Sequence, residues 1–185
     1  MEQSRAREIL RRIEKEAKRG YLPIIGPERG KILVDLVRKV KPKRVLEIGT
    51  FIGYSTIMMG KELDSDAEII TIEIDEDEAR IARRNIEMAG IKPKVQVIVG
   101  NALEVIPKLS GEFDLVFIDA AKREYLDYLK LVEKKLHKGS MVIADNAGIF
   151  AHSMKDYLGY VRKLGKYKSR FIPVGDDGIE VSVKL

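Results

Sequence analysis

The stretch Val45-Leu46-Glu47-Ile48-Gly49-Thr50-Phe51-Ile52-Gly53-Tyr54-Ser55-Thr56 decides the fold. It runs from an apolar strand through a glycine loop into a helix, the junction at which open α/β sheets bind their ligands. Gly49 lets the chain turn sharply and approach a ligand, and Gly53 permits a second close approach where the helix begins. Outward from this junction the alternation repeats. The apolar runs 45–48, 69–74, 95–99, 115–118 and 141–144 read as five buried strands, each followed by a helical stretch. Short connections between them predict an α/β fold whose parallel sheet is covered on both faces. Asp75 with Glu78 three residues on marks a helix start, and Met88-Ala89-Gly90 marks its stop. Upstream, an amphipathic helix over 3–19 ends at Gly20, the Pro/Gly-punctuated segment 22–27 follows, and a second helix over 28–40 ends at Lys41-Pro42-Lys43. Downstream, a helix over 153–164 precedes two segments, 168–174 and 179–185, that flank Gly175-Asp176-Asp177-Gly178. That pattern predicts an antiparallel hairpin on the sheet edge.

With 185 residues, 45% hydrophobic and 34% charged, the chain is expected to be one domain over 1–185, its N-terminal helices (1–40) serving as a lid or an interface. The composition excludes disorder and low complexity. No apolar run approaches the roughly 18 to 20 residues needed to cross a bilayer, and the N-terminus leads into a charged helix rather than an apolar signal core. No membrane partner and a cytoplasmic location are therefore expected. The absence of cysteine excludes disulfides, thiolate nucleophiles and thiolate metal sites, and two histidines, His137 and His152, leave no histidine cage. Any metal must be held mainly by oxygen. Scarce Asn and Gln beside abundant Lys, Arg and Glu match a balance reported for proteins of hot-living organisms. The net charge of +5 is uneven: residues 1–44 carry 14 Lys/Arg against 6 Asp/Glu. Such a basic end can attract nucleic acid or an acidic substrate, or it can be the solvated face of the first helix, around the stripe Ile9, Leu10, Ile13 and Ala17.

Two carboxylates shape the ligand expected at the glycine loop. Glu47 lies within an otherwise apolar strand end, where burial requires a partner such as an ammonium group. Glu73 ends the second strand, 24 residues beyond Gly49, where an acidic side chain accepts hydrogen bonds from ribose hydroxyls. The loop lacks the full G-x-G-x-x-G turn, which argues against a pyrophosphate cofactor such as NAD. It suits S-adenosylmethionine, which combines a ribose with a cationic amino-acid tail.

A second cluster is expected at the ends of the fourth and fifth strands. Asp119, Asp145 and Asn146 can converge there if the strands are neighbours, about 4.8 Å apart. Separately, Asp119 reads as a helix N-cap and Asp145-Asn146 as a polar turn. Together they form a three-oxygen set suited to Mg2+ or, less selectively, Mn2+ or Ca2+. Lys122, on the first turn of the next helix, can reach the same opening and serve as a general base. His152 reads as a loop residue and His137 as the end of a helix before the fifth strand.

These residues resemble the divalent-metal-dependent, S-adenosylmethionine-dependent O-methyltransferases, the group of catechol and caffeoyl-CoA O-methyltransferases. The resemblance runs from Pro23 to Gly178 and rests on Val-Leu-Glu-Ile-Gly-Thr-Phe-Ile-Gly-Tyr-Ser, Phe-Ile-Asp-Ala-Ala-Lys with Tyr125, and Ala-Asp-Asn. It implies a Rossmann-like class I methyltransferase fold, with a mostly parallel seven-stranded sheet and the C-terminal hairpin. It implies Asp119, Asp145 and Asn146 as metal ligands and Lys122 as the base. Cofactor contacts are implied for Glu47, Gly49, Gly53, Ser55, Glu73 and Asp119, for the Asn101 side chain, and for the backbone at Ile25 and Ala102. A homodimer is expected as well. The implied reaction is Mg2+-dependent methyl transfer to a hydroxyl of a small molecule with vicinal oxygens. The alternatives are O-methylation of a hydroxylated uridine in tRNA, which the basic N-terminal segment would serve, and a non-catalytic S-adenosylmethionine-binding module.

Overall fold

The computed structural model describes residues 2–20 and 22–185. Seven strands form one sheet: β1 (Arg44–Ile48), β2 (Glu68–Glu73), β3 (Lys94–Val99), β4 (Phe113–Ile118), β5 (Leu136–Ala144), β6 (Tyr167–Val174) and β7 (Asp177–Lys184). Their order is β3-β2-β1-β4-β5-β7-β6. The first five are parallel, and β7 joins β5 antiparallel with β6 outside it, as the hairpin pattern predicts. The order reverses between β1 and β4, so the loops leaving those two strands diverge and open a crevice at the carboxyl edge.

The helices are α1 (Glu2–Arg19), α2 (Gly26–Val40), α3 (Tyr54–Gly60), α4 (Glu76–Ala89), α5 (Ala102–Val105), α6 (Tyr125–Val132) and α7 (Lys155–Lys163). Alternation along the strands divides the core in two. Val45, Ile69, Leu115, Phe117 and Ile143 face α1–α4, while Leu46, Ile48, Ile70, Val116 and Val142 face α5–α7. The α1 stripe of Ala6, Ile9, Leu10 and Ile13 is buried on the first side, against α3 and α4. Among the described residues no helix is long and apolar enough to cross a membrane.

Three local expectations change. The second strand ends at Glu73, the residue expected to close it, and so stops one residue short of the apolar run 69–74; Ile74 is 73% exposed. The fifth begins at Leu136, so His137 is a strand residue and not a helix end. The polar run His137-Lys138-Gly139 hides this start; the ladder to β4 shifts register there, Gly139 takes φ +91°, and the Ser140 hydroxyl ties Phe113 O to His137 N. The hairpin turn is tighter than four residues: Val174 pairs with Asp177, leaving Gly175-Asp176 as the loop.

Candidate active site

The carboxyl edge of β1, β2, β4 and β5 forms the floor of a cavity of about 800 Å3, a volume suited to a cofactor and a small second ligand. Its first wall begins where β1 ends. Gly49 N–H donates to Ile72 O at 3.0 Å, and φ is +95°. A Cβ at Gly49 would stand 2.0 Å from Asp119 O, so only glycine lets the loop pass this close to the end of β4. Phe51 also takes a left-handed conformation, φ +49°, and its N–H donates to Glu73 Oε2 at 2.6 Å. Asp75 N–H donates to Glu73 Oε1 at 3.0 Å. Two backbone donors thus hold the Glu73 carboxylate on the cavity wall, with lone pairs left for a ligand.

Glu47 and Gly53 stand behind the loop that lines this wall. Glu47 is fully buried beneath the loop, and neither residue is on the cavity wall. In place of an ammonium group, Glu47 accepts hydrogen bonds from the hydroxyls of Ser55 and Thr56 on α3. Burial pushes its pKa up to about 7, with those hydroxyls and Thr71 holding it from rising further. Gly53 precedes α3 with φ +86°, and its open side lets α3 pack near Ala82 of α4. The other expected cofactor residues do reach the cavity. Ile25, at the start of α2, Ser55, and Gly100-Asn101-Ala102 at the start of α5 all line it. Asn101 caps α5, its Oδ1 accepting from Leu103 N–H at 2.9 Å.

On the opposite wall, Asp119 and Asp145 extend the ladder one residue past neighbouring strands: Asp119 N–H donates to Ile48 O, and Asp145 N–H to Ile118 O. Lys122, Asn146, Asp119 and Asp145 all line the cavity. Lys122 Nζ donates to Asp119 Oδ1 at 2.8 Å and to the Tyr125 hydroxyl at 2.9 Å, and that hydroxyl donates to Asp145 O at 3.3 Å. Asn146 takes φ +60°, and its Nδ2 donates to Asp177 Oδ2 at 2.8 Å, leaving the amide oxygen as a free acceptor. Asp145 is buried, and neither of its carboxylate oxygens has a hydrogen-bond partner. Burial first, then the charge of Asp119, raises its pKa above the usual carboxylate range, while Arg29 opposes the rise. Among the described residues no three His, Cys, Asp or Glu side chains form a metal cluster. The oxygen set here is two carboxylates and one amide. A buried carboxylate that faces a guanidinium without a directed hydrogen bond, beside a second carboxylate and a free amide oxygen, fits a hard dication better than it fits any neutral partner.

Four participants escaped sequence reasoning. Arg29 on α2 meets Asp145 and Asp177; among 34 basic residues nothing singles it out. Asp177 orders the 146–149 turn by accepting from Gly148 and Ile149 N–H, although its sequence context signals only a hairpin. Phe150 and Ile149, both exposed, line the mouth on the metal-like side. His152 is not on the wall. Of the first 40 residues, Leu22–Ile25 and Arg29 reach the cavity, and no described residue of α1 does.

The sequence model of a family described as "O-methyltransferase" matches residues 1–157. Catechol O-methyltransferase B of Danio rerio is 40% identical over 174 residues, which are 87% of this chain and 65% of that protein. Catechol O-methyltransferase of Niastella koreensis is 37% identical over 126 residues, 66% of this chain and 57% of that protein. The chain thus spans less than two thirds of the length of these two relatives. The O-methyltransferase TomG of Streptomyces achromogenes, involved in tomaymycin synthesis and solved in complex with S-adenosylmethionine, superposes with a TM-score of 0.85 at 27% identity. The superposition covers 96% of this chain and 89% of that one.

Proposed function

Because this chain belongs to the O-methyltransferase family, we propose that it transfers the methyl group of S-adenosylmethionine to a hydroxyl of a small molecule carrying two neighbouring oxygens, catechol-like in pattern, with Mg2+ or another divalent cation. One observation carries this reading: Glu73, Asn101 and the Gly49 loop share a single cavity with Asp119, Asp145, Asn146 and Lys122. A pure cofactor-binding module has no use for the second group.

When bound, S-adenosylmethionine supplies an electrophilic sulfonium methyl, and the divalent cation supplies charge that favours the acceptor's oxyanion over its hydroxyl. Glu73 would accept hydrogen bonds from the ribose hydroxyls. Gly49 and the backbone at Ile25 would hold the amino-acid tail with Ser55, and Asn101 and Ala102 would hold the remainder of the nucleoside. Asp119, Asp145 and the Asn146 amide oxygen would hold the cation. Lys122 Nζ, kept at the site by Tyr125 and Asp119, would in its neutral amine form take the proton from the acceptor hydroxyl and become the ammonium, leaving the oxyanion. Ile149 and Phe150 offer an apolar wall for the body of the acceptor and keep water from the reacting atoms. The absence of any described residue of α1 from the wall, and the acidic Glu73, Glu78 and Glu124 along it, favour a small acceptor over RNA.

The test is a methyl-transfer assay with labelled cofactor and a catechol panel, run with Mg2+ and with chelator, alongside unmodified and hydroxylated tRNA. Transfer to a catechol that stops with chelator is expected. Asp145→Ala should reduce the rate to the chelator baseline while retaining calorimetric cofactor affinity; a rate indifferent to both treatments would remove the cation from the reaction.

A further inference from the structure

Arg29 projects from the first turns of α2 across the cavity floor to the ends of β5 and β7. Its Nε lies 2.8 Å from Asp145 Oδ1 and its Nη1 3.0 Å from Asp177 Oδ2. The two contacts differ in kind. The Nη1 contact is a directed hydrogen bond, whereas Nε and both Asp145 oxygens are buried atoms without a hydrogen-bond partner. A guanidinium whose task was to clamp Asp145 would meet it with two parallel N–H bonds. Here it brings a positive charge against the carboxylate without a directed hydrogen bond to either carboxylate oxygen.

We infer that Arg29 is an internal counter-cation that competes with the divalent cation for the Asp145 carboxylate and so sets the affinity of the site for metal. The inference rests on the divalent-cation reading of the previous subsection. Its physical basis is that one buried carboxylate is neutralised by either cation. A dication held by Asp145 stands next to the guanidinium and is repelled by it. Without a dication, the guanidinium compensates two carboxylates whose burial would otherwise be costly. Removing the charge of Arg29 therefore relieves repulsion in the metal-bound form and destabilises the metal-free form. Both changes strengthen metal binding. A scaffolding role predicts the opposite sign, because Arg29 braces Asp177, which in turn holds Asn146 and the 146–149 turn; its loss would then disorder the third ligand and weaken binding.

Titration of the full chain with Mn2+, followed by electron paramagnetic resonance at fixed pH and ionic strength, separates these. Arg29→Gln is expected to bind Mn2+ about tenfold tighter than the unaltered protein, and Arg29→Lys, which keeps the charge, to stay within about threefold of it. Equal or weaker binding by Arg29→Gln overturns the inference and leaves the metal site standing. Failure of both the unaltered protein and Arg29→Gln to bind Mn2+ overturns the metal site and the inference with it. A second measurement needs no folded Arg29→Gln protein: the arginine Nε–H resonance absent from Arg29→Lys is followed in the unaltered chain as Mg2+ is added. It should shift on saturation as the guanidinium leaves Asp145, and a resonance that stays in place rejects the competition.

Discussion

Glu73 and Glu47 are the same residue type near the ends of adjacent strands, and one pleat separates their roles. Glu47 pairs with Thr71 in the β1–β2 ladder, so Glu73 stands two residues further along, roughly 6.6 Å closer to the carboxyl edge. That step takes it out from under the Gly49 loop onto the cavity wall, leaving Glu47 enclosed with the hydroxyls of α3. Sequence reading could place both carboxylates at strand ends; which one reaches the cavity wall depended on register. Glu73→Ala should weaken cofactor binding in calorimetry by about thirtyfold or more, the worth of hydrogen bonds to an ionised acceptor. An unaltered affinity in a variant with a native circular dichroism spectrum would contradict the ribose contact. The same alanine deprives Phe51 and Asp75 N–H of their acceptor, so a modest loss of stability should accompany the loss of affinity.

At the scale of elements, α1 illustrates how a charged helix earns its place in a fold. Its polar residues outnumber its apolar ones, yet Ala6, Ile9, Leu10 and Ile13 recur at helical spacing and are buried. Polar contacts reinforce the docking: the Tyr54 hydroxyl donates to Glu14, and Arg12 donates to Asn85, whose amide in turn donates to Ile52 O in the β1–α3 loop. Ile13→Ala should cost about 3 kcal/mol through lost burial and the cavity left behind. For a chain of this size that lowers the melting temperature by roughly 6 to 12 °C in calorimetry. Ile13 is remote from the cavity wall, so cofactor affinity should hold; a change below 2 °C, within the scatter of surface substitutions, would show that α1 docks without dependence on this side chain. The period of this helix was plain in the sequence. The start of β5 was not, because its ladder irregularity places polar residues where a buried strand would carry apolar ones.

Across the whole molecule, chemistry gathers at the carboxyl edge of the sheet, and the opposite edge is tied by ordinary polar contacts. There Asp114 accepts from Lys43 and Arg44 N–H and meets His137 Nε2 at 2.9 Å, joining the approach to β1 with β4 and β5. Contact with the Lys138 carbonyl and then with Asp114 raises the His137 pKa above its ordinary value. A raised folded-state pKa means that the imidazolium's contribution is fully present below the unfolded value of about 6.5 and fades as pH climbs through the folded value. The stability difference between the unaltered chain and His137→Gln, taken from urea midpoints, should be larger at pH 5.5 than at pH 8.5. It should be small at both, because the ring is partly exposed and its charge screened. A difference that grows toward pH 8.5 would reverse the assignment.

The amino-acid sequence alone determined the alternation of strands and helices, the edge hairpin, the Gly49 loop, and the convergence of Asp119, Asp145, Asn146 and Lys122 at one sheet edge. Those features follow from local periodicity, from the turn requirements of glycine, and from the rule that parallel strands present their carboxyl ends together. Tertiary structure alone decided that Glu47 is enclosed, that Asp177 braces Asn146 across 31 residues, and that Arg29 reaches Asp145 from the second helix. Such relations depend on register and on the docking of elements distant in the chain, and neither leaves a periodic trace in the residues themselves.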